Sequence, residues 1–495
     1  MIHRRVLFGA VVLAFTVTSV ASAQLTPMEE LGKAIYFDKI AAPDNMACAS
    51  CHDPKVGFTG PIPGINDPGA VYPGAVPPRF GHRKPPSAAY ATTAPLFHWD
   101  ATEELFIGGN FWDGRATGDH LGNPAADQAL GPFLNPVEQN NPSKLAVLEQ
   151  IASSKYAGMW EVVWGAPLSL DPADTDMEYD RIGLAIAEFE DSDEVNQFSS
   201  KFDYFMAGEA TLTAKEAWGQ ELFEGKAMCS ACHMWPLFTD YSFDNLGTPK
   251  NPDNPFYRMD EVYLDDGSPI NPEGADWIDP GLGGFLATLP ESYFTGIGLD
   301  KATAVAENWG KHKVPTLRNV AKAPSEDFKK VFMHNGAFNS LKEVVDFYNT
   351  RDVASWPPPE VAANVNTDEL GNLGLTKKEV NAIVDFMGTL SDGWMPKKKK
   401  AEAEITVTAP SARLMVGPNP FNPMTRLSYT LSQAGNVTIN VYDMTGRHVA
   451  TLLKGWKSDG QHQLVWSPTG LSSGQYLVTF ESPDATVSRK VTLLK

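Results

Sequence analysis

Two short stretches hold every cysteine of the chain: "MACASCHDP" at 46–54, with Cys48, Cys51 and His52, and "MCSACHM" at 228–234, with Cys229, Cys232 and His233. Two thiols three residues apart, followed at once by an imidazole, suit covalent attachment of a c-type haem. Each thiol makes a thioether, and the histidine ligates iron from the proximal side. A bare CxxC would also fit a redox dithiol or a zinc knuckle. A zinc site, however, needs further cysteines or suitably placed histidines. Two covalently bound haem c groups are therefore expected, and no cysteine is then left for a structural disulfide.

The elements that must position these units repeat. "MEELGKAIYFDKIAAPDNMACASCH" and "KEAWGQELFEGKAMCSACH" each set a glycine, Gly32 or Gly219, among large apolar residues on a short helical pattern ahead of the attachment unit. The spacing between the copies suits two haem domains sharing an interface. Residues 54–140 are rich in proline, glycine and aromatics and show little periodicity. They are expected to form long ordered loops over a haem pocket. "SKLAVLEQIASSKYAGMWEVVWG" and "DRIGLAIAEFEDSDEVNQFSSKFDYFM" return to helical spacing.

The ends of the chain differ from its middle. "MIHRRVLFGAVVLAFTVTSVASAQ" has two arginines, an apolar run and Ala21-Ser22-Ala23, the pattern of a secretory signal cleaved after Ala23. Export agrees with covalent haem attachment outside the cytosol. After Trp394 a charged linker, "MPKKKKAEAEITVTAP", leads into strand-like alternation in "RLSYTLS", "NVTINVYDMTG", "QHQLVWSP", "GQYLVTFES" and "VSRKVTLLK".

The expected fold is mainly α: two packed c-type cytochrome domains with long loops, then a small all-β immunoglobulin-like sandwich. The expected divisions are a signal peptide at 1–23, a first haem domain at 24–205, a second haem domain at 206–394, a linker at 395–410 and a β-sandwich at 411–495. A formal charge of −20 argues against nucleic acid, whose binding needs a concentrated positive surface. It suits a basic electron-donor protein.

Four further motifs carry a family resemblance over roughly residues 25–391: "NFWDGRA" (110–116), "ADQALGPFLNPVEQ" (126–139), "HKVPTLRNVA" (312–321) and "VFMHNGAFNSLKEVVDFYN" (331–349). With the attachment units, they resemble the bacterial diheme cytochrome c peroxidases and their MauG-type relatives. The resemblance implies that the haem of His52 is peroxidatic. Glu138 then falls on the distal carboxylate that handles protons during O–O cleavage, and Gln128 and Pro132 on residues that shape its pocket. Trp112 falls on the tryptophan between the haems, and Asp113 and Arg115 beside it look structural or propionate-directed. Tyr348 stands where classical peroxidases have a methionine and MauG-type enzymes a tyrosine, as distal ligand of the His233 haem. Met333 is the competing ligand, and Met234 is expected to pack.

His82, in "RFGHRKPPS", lies near a loop histidine that blocks the peroxidatic iron in some members. Lys84 replaces an asparagine that helps to bind an interhaem calcium, which leaves calcium open as a cofactor. His98 and His120 read as polar loop residues, and the inserts at 98–109 and 253–284 read as surface decoration. The tail from "VGPNPFNPM" to "VTLLK" resembles the type A sorting domain of the type IX secretion system. That implies contact with the secretion machinery and a place at the outer surface or outside the cell, with the periplasm as the alternative.

The resemblance thus implies an enzyme that reduces hydrogen peroxide to water with electrons from a donor such as a small cytochrome or a cupredoxin. Two other readings stay open: a MauG-like oxidase that modifies a residue of a protein, and a non-catalytic diheme electron-transfer cytochrome.

Overall fold

The computed structural model describes residues 25–395 and, with short breaks, 412–493. The expected leader at 1–23 and most of the expected linker at 395–410 lie outside the described residues.

The first half is built on α1 (Pro27–Phe37) and α6 (Thr175–Asp191). Thr26 starts α1 with a reciprocal cap. Its hydroxyl accepts from the Glu29 amide and the Glu29 carboxylate accepts from the Thr26 amide, while Pro27 takes the first turn, where no amide is needed. The helices touch at Gly32, where a Cβ would lie 1.8 Å from the carbonyl oxygen of Ala185. Only glycine permits that approach. Leu31, Ile35, Tyr36, Ile182, Ile186 and Phe189 close a core there.

The second half repeats the device. Helix α8 (Ala214–Glu224) opens with the same cap from Thr213 and Glu216, and α13 (Lys377–Gly388) with one from Thr376 and Glu379. At their crossing a Cβ on Gly219 would lie 1.9 Å from the Ala382 carbonyl oxygen. Phe223, Ile383 and Phe386 pack there, together with Phe202 of α7 (Lys201–Met206). Helix α7, which the expected division at 205/206 crosses, thus packs with the second core.

The stretch 54–140 is less loop-like than expected. It holds a short helix, α2 (Pro63–Asn66), a hairpin of β1 (His98–Asp100) and β2 (Leu105–Ile107), and α3 (Pro124–Leu134). Pro63 and Pro124 start α2 and α3, where the first turn needs no amide, and Pro132 lies inside α3 near its C-terminal end. The insert at 98–109 is a structural element rather than decoration. Phe106 of β2 packs with Phe97, Phe243, Leu282 and Phe294 in a third core. Leu282 belongs to α9 (Gly281–Thr288) and Phe294 to α10 (Glu291–Ile297), with α11 (Lys301–Glu307) beside them.

The insert at 253–284 is likewise structural. Asn254, Asn271 and Asp279 within it are buried. The remaining helices are α4 (Lys144–Ser153) and α5 (Ala157–Trp164) in the first half and α12 (Leu341–Thr350) in the second. Strands β3 (Phe243–Asp244) and β4 (His312–Lys313) form a two-residue ladder. No helix among the described residues is long and apolar enough to cross a membrane.

The C-terminal region is β-rich. One antiparallel sheet has β6 (Thr425–Leu431) between β5 (Ala412–Gly417) and β9 (Gly460–Trp466). The other runs β11 (Thr486–Leu493), β10 (Gly474–Glu481), β7 (Gly435–Asp443), β8 (His448–Lys457). Leu414, Leu427 and Tyr429 of the first sheet share a core with Ile439, Val478 and Val491 of the second.

Candidate functional site

Each attachment unit folds the same way. Cys48–Ser50 and Cys229–Ala231 form single 3-10 turns that bring the following histidine inward. His52 Nδ1 lies 3.1 Å from the Phe58 carbonyl and His233 Nδ1 2.9 Å from the Phe238 carbonyl. A carbonyl only accepts, so both Nδ1 atoms are donors and both Nε2 atoms carry the lone pair that a metal needs. Burial lowers the affinity of both rings for a second proton, which keeps them neutral. Tyr36 anchors the first unit, its hydroxyl donating to the His52 carbonyl at 2.9 Å. The four cysteines are free thiols, as haem attachment requires.

A large cavity opens beside the second unit, with Cys229, Cys232 and His233 in its wall. Tyr348, on α12, and Met333 line the same cavity, and the Tyr348 hydroxyl points at Met333 Sδ at 3.9 Å. Both candidates for the distal position thus reach one space. Burial pushes the Tyr348 phenol well above its usual range, so it ionises only against a strong positive charge.

Trp112 lines the cavity from the first half of the chain and is 8% exposed. Its Nε1 donates to the Lys84 carbonyl at 3.0 Å. Lys84, Lys313 and Lys330 line the same wall, and none has a carboxylate partner among the described residues. Lys84 donates to Pro85 O at 3.2 Å and to Thr59 Oγ1 at 3.4 Å, and Lys330 donates to three backbone carbonyls. Lys313 donates to Gly109 O and Asn110 Oδ1. Burial pulls Lys84 down to about 8 and the other two to about 7. Desolvated ammonium groups around an apolar cavity call for anions. Haem fits: an apolar ring with propionates, thiols to bind it and an imidazole lone pair aimed at its iron.

Glu138 is half-buried, and its Oε2 accepts from Asn135 Nδ2 at 2.6 Å. Burial raises its carboxyl above the usual range against that hydrogen bond. It lies within electrostatic reach of Cys51 and Cys48, on the side of the first unit. Gln128 and Pro132 sit on α3, which leads into the turn that carries Glu138. Asp113 is a structural hub rather than an independent group. It pairs with Arg115 at 2.8 Å and with Arg83 at 2.6 Å, and Arg83 in turn makes a bidentate pair with Asp279 at 2.6 and 2.7 Å. Arg115 also stacks on Phe111, 3.7 Å from the ring centre.

His82 is packed, not free. It lies against Phe256 and Trp277 of the 253–284 insert, at 5.2 and 5.1 Å between ring centres, and burial lowers its pKa to about 3. His98 is an exposed residue bonded to Leu96 O, and His120 pairs with Asp180 at 2.8 Å. Residues outside the sequence-based site also converge on the cavity: Lys313, Lys330, Asp279, His312, His334 and Glu360. The two histidines stand in the quoted motifs at 312–321 and 331–349, which was the available signal. For Asp279 and Glu360 there was none.

The family model for di-haem cytochrome c peroxidase matches residues 26–211, and the one for a secretion system C-terminal sorting domain matches 415–493. The methylamine utilization protein MauG of Paracoccus denitrificans is 32% identical over 392 residues, covering 73% of this chain and 88% of the relative. The cytochrome-c peroxidase IdrP2 of Denitromonas iodatirespirans is 26% identical over 377 residues, or 75% of this chain and 83% of the relative. Among solved structures, the diheme peroxidase BthA of Burkholderia thailandensis superposes with a TM-score of 0.60 at 29% identity, covering 75% of this chain and 87% of its own. With paired attachment units, a cavity beside the second of them and these relatives, the chain belongs to the family of MauG and the bacterial di-haem cytochrome c peroxidases, extended by a C-terminal secretion sorting domain.

Proposed function

We propose that this protein is a di-haem c-type peroxidase that reduces hydrogen peroxide to water with electrons from an external protein donor. The observation that carries the reading is the doubled CxxCH unit, each histidine turning Nδ1 to a backbone carbonyl so that Nε2 carries the lone pair, with the second unit and the buried Trp112 lining one cavity. Haem, when bound, supplies the iron that takes up peroxide and exchanges electrons.

The chain's own residues do the rest. His52 and His233 hold the proximal positions through Nε2. Glu138, raised by burial, takes the proton from one peroxide oxygen and returns it to the departing one. Gln128 and Pro132 shape that pocket. Two electrons and two protons turn one hydrogen peroxide into two waters. Trp112 lies on the route between the two halves, where an indole relays charge. Tyr348 is the distal residue of the second half, and Met333 is held beside it. Lys84, Lys313 and Lys330 receive propionates.

The proposed divisions are a leader at 1–23, a peroxidatic domain and an electron-transfer domain meeting near 200, a linker, and an immunoglobulin-like sandwich from about 411 that serves type IX secretion. The donor is a small soluble redox protein such as a cytochrome or cupredoxin, drawn to the acidic surface. Lys84 stands where an asparagine would help to bind an interhaem calcium, so a calcium here would be held without that side chain. The enzyme works at the outer surface or outside the cell.

A second reading is favoured by Tyr348: oxidation of a residue on a protein substrate. An anionic oxygen ligand disfavours reduction of the second haem and makes it a better place to hold an oxidising equivalent. Low-temperature EPR of the ferric protein, before and after one equivalent of hydrogen peroxide, tests both against a plain electron-transfer cytochrome. A high-spin signal that disappears on adding peroxide is expected. Two low-spin signals that peroxide leaves unchanged, even after half-reduction, would remove both enzyme readings.

A further inference from the structure

The cavity wall carries a group of side chains that the peroxidase reading leaves unused. His312 and His334 stack ring on ring, 3.6 Å between centres and 8° from parallel. His312 Nδ1 lies 3.1 Å from the Gly310 carbonyl, so that nitrogen holds the proton and Nε2 presents a lone pair. His312 Nε2 is 3.3 Å from Asp279 Oδ2, and His334 Nε2 is 3.6 Å from Glu360 Oε2. Neither Nε2 has a hydrogen-bond partner. The four side chains are 11%, 7%, 2% and 3% exposed for His312, His334, Asp279 and Glu360.

The carboxylates are almost fully used from their other sides. Asp279 accepts Arg83 Nε and Nη2 and the Gly281 amide. Glu360 accepts the Tyr257 hydroxyl and Asn335 Nδ2. A carboxylate has about four lone-pair positions, and those still open include the ones that face the imidazoles. The His312 nitrogen lone pair set against an Asp279 carboxylate lone pair in a dry wall repels, and a cation between them removes the repulsion.

We propose that Asp279, His312 and His334, with Glu360 alongside, form a site for one divalent transition-metal ion of the zinc or copper class. The ligand atoms of Asp279, His312 and His334 lie within 4.8 Å of one another. Mixed imidazole and carboxylate donors suit these borderline ions better than the hard alkaline-earth ions. The outer partners are also present: Gly310 sets the tautomer of His312, and Arg83 holds Asp279. Because the rings stack, an ion that takes both nitrogens draws them out of parallel. The site lies beside the relay tryptophan, with the His334 ring 6.4 Å from that of Trp112.

The test uses the full-length di-haem protein, stripped with a chelator and dialysed against zinc, with metals counted by mass spectrometry. The expected result is one zinc per chain beyond the two haem irons. His312→Gln and His334→Gln should each weaken it by more than about 100-fold, while the Soret spectrum of each variant reports intact haem pockets. Cupric ion in place of zinc should show nitrogen hyperfine splitting from two imidazoles, reduced to one in either variant. Glu360→Gln, which keeps the shape of the side chain, should weaken zinc less than the histidine variants do. Zinc bound equally by wild type and both histidine variants would be an adventitious surface ion and would overturn the proposal. Absence of bound zinc in the wild type would overturn it too, and would leave a proton as the shared cation.

Discussion

Trp112 is tied to Lys84 twice over: its indole N–H donates to the Lys84 carbonyl at 3.0 Å, and the Lys84 ammonium lies 5.9 Å from the indole centre. The first contact fixes the plane of the ring. The second places a half-buried positive charge where it opposes loss of an electron from the ring. In the proposed relay, Trp112 would then pass charge rather than keep it.

Trp112→Phe keeps the aromatic packing and removes the donor. The Lys84 carbonyl is then left unsatisfied, at a cost of about 1–3 kcal/mol, readable in a denaturant melt. Stopped-flow spectra should show electron transfer from the second haem to the first slowing while peroxide binding is unchanged. Equal transfer rates in the two proteins would rule Trp112 out as the relay.

Glu138→Gln should lower turnover with peroxide by roughly 10²–10⁴-fold, the usual worth of a general base, with haem content unaltered. The sign of the pH dependence follows from burial, which raises the folded-state pKa of Glu138. The active form is the carboxylate, so wild-type activity falls as pH drops through that raised value. For stability the sign is opposite: this carboxyl's contribution is fully present below its unfolded pKa and is lost as pH rises through the folded one. A pH–rate profile that keeps its acid limb in the glutamine variant would assign that limb to another group.

Tyr348→Met exchanges a hard oxygen for a soft thioether. The potential of the second haem should rise, because methionine ligation favours ferrous iron, and a spectroelectrochemical titration reads it directly. If the potential stays where it was, Met333, 3.9 Å from the Tyr348 hydroxyl, holds the position instead.

Gly219→Ala drives a methyl group into the Ala382 carbonyl. Backbone cannot yield there as a flexible side chain would, so the loss should reach about 3 kcal/mol or more. Gly158→Ala, at a helical position with nothing within 4 Å of the added carbon, is the control and should be neutral or stabilising by up to about 1 kcal/mol. Thermal melts of the two variants side by side decide it.

What could be read from the chain was whatever is local. The attachment units, the helical patterns around Gly32 and Gly219 and the alternation of β6 and β7 each lie within a short window of sequence. Helix α3 was missed because its two prolines argue against a helix, although Pro124 only opens it and Pro132 falls in its C-terminal part. Strand β8 was missed because neither face is fully buried, so its apolar residues do not alternate. The Arg83–Asp279 pair spans 196 residues, and its acid sits in an insert with no regular metal-loop spacing. The stacked histidines and the unpaired lysines depend on which groups share a dry wall, a property that no window of sequence records.

The twin crossings at Gly32 and Gly219 make the enzymatic part a structural repeat: the same glycine clasp, entered by the same Thr-x-x-Glu turn, leads each time to a CxxCH unit. A chain nicked between Ala207 and Thr213 would leave each copy its own pair of crossing helices, and the two fragments would be natural candidates for reassembly by complementation.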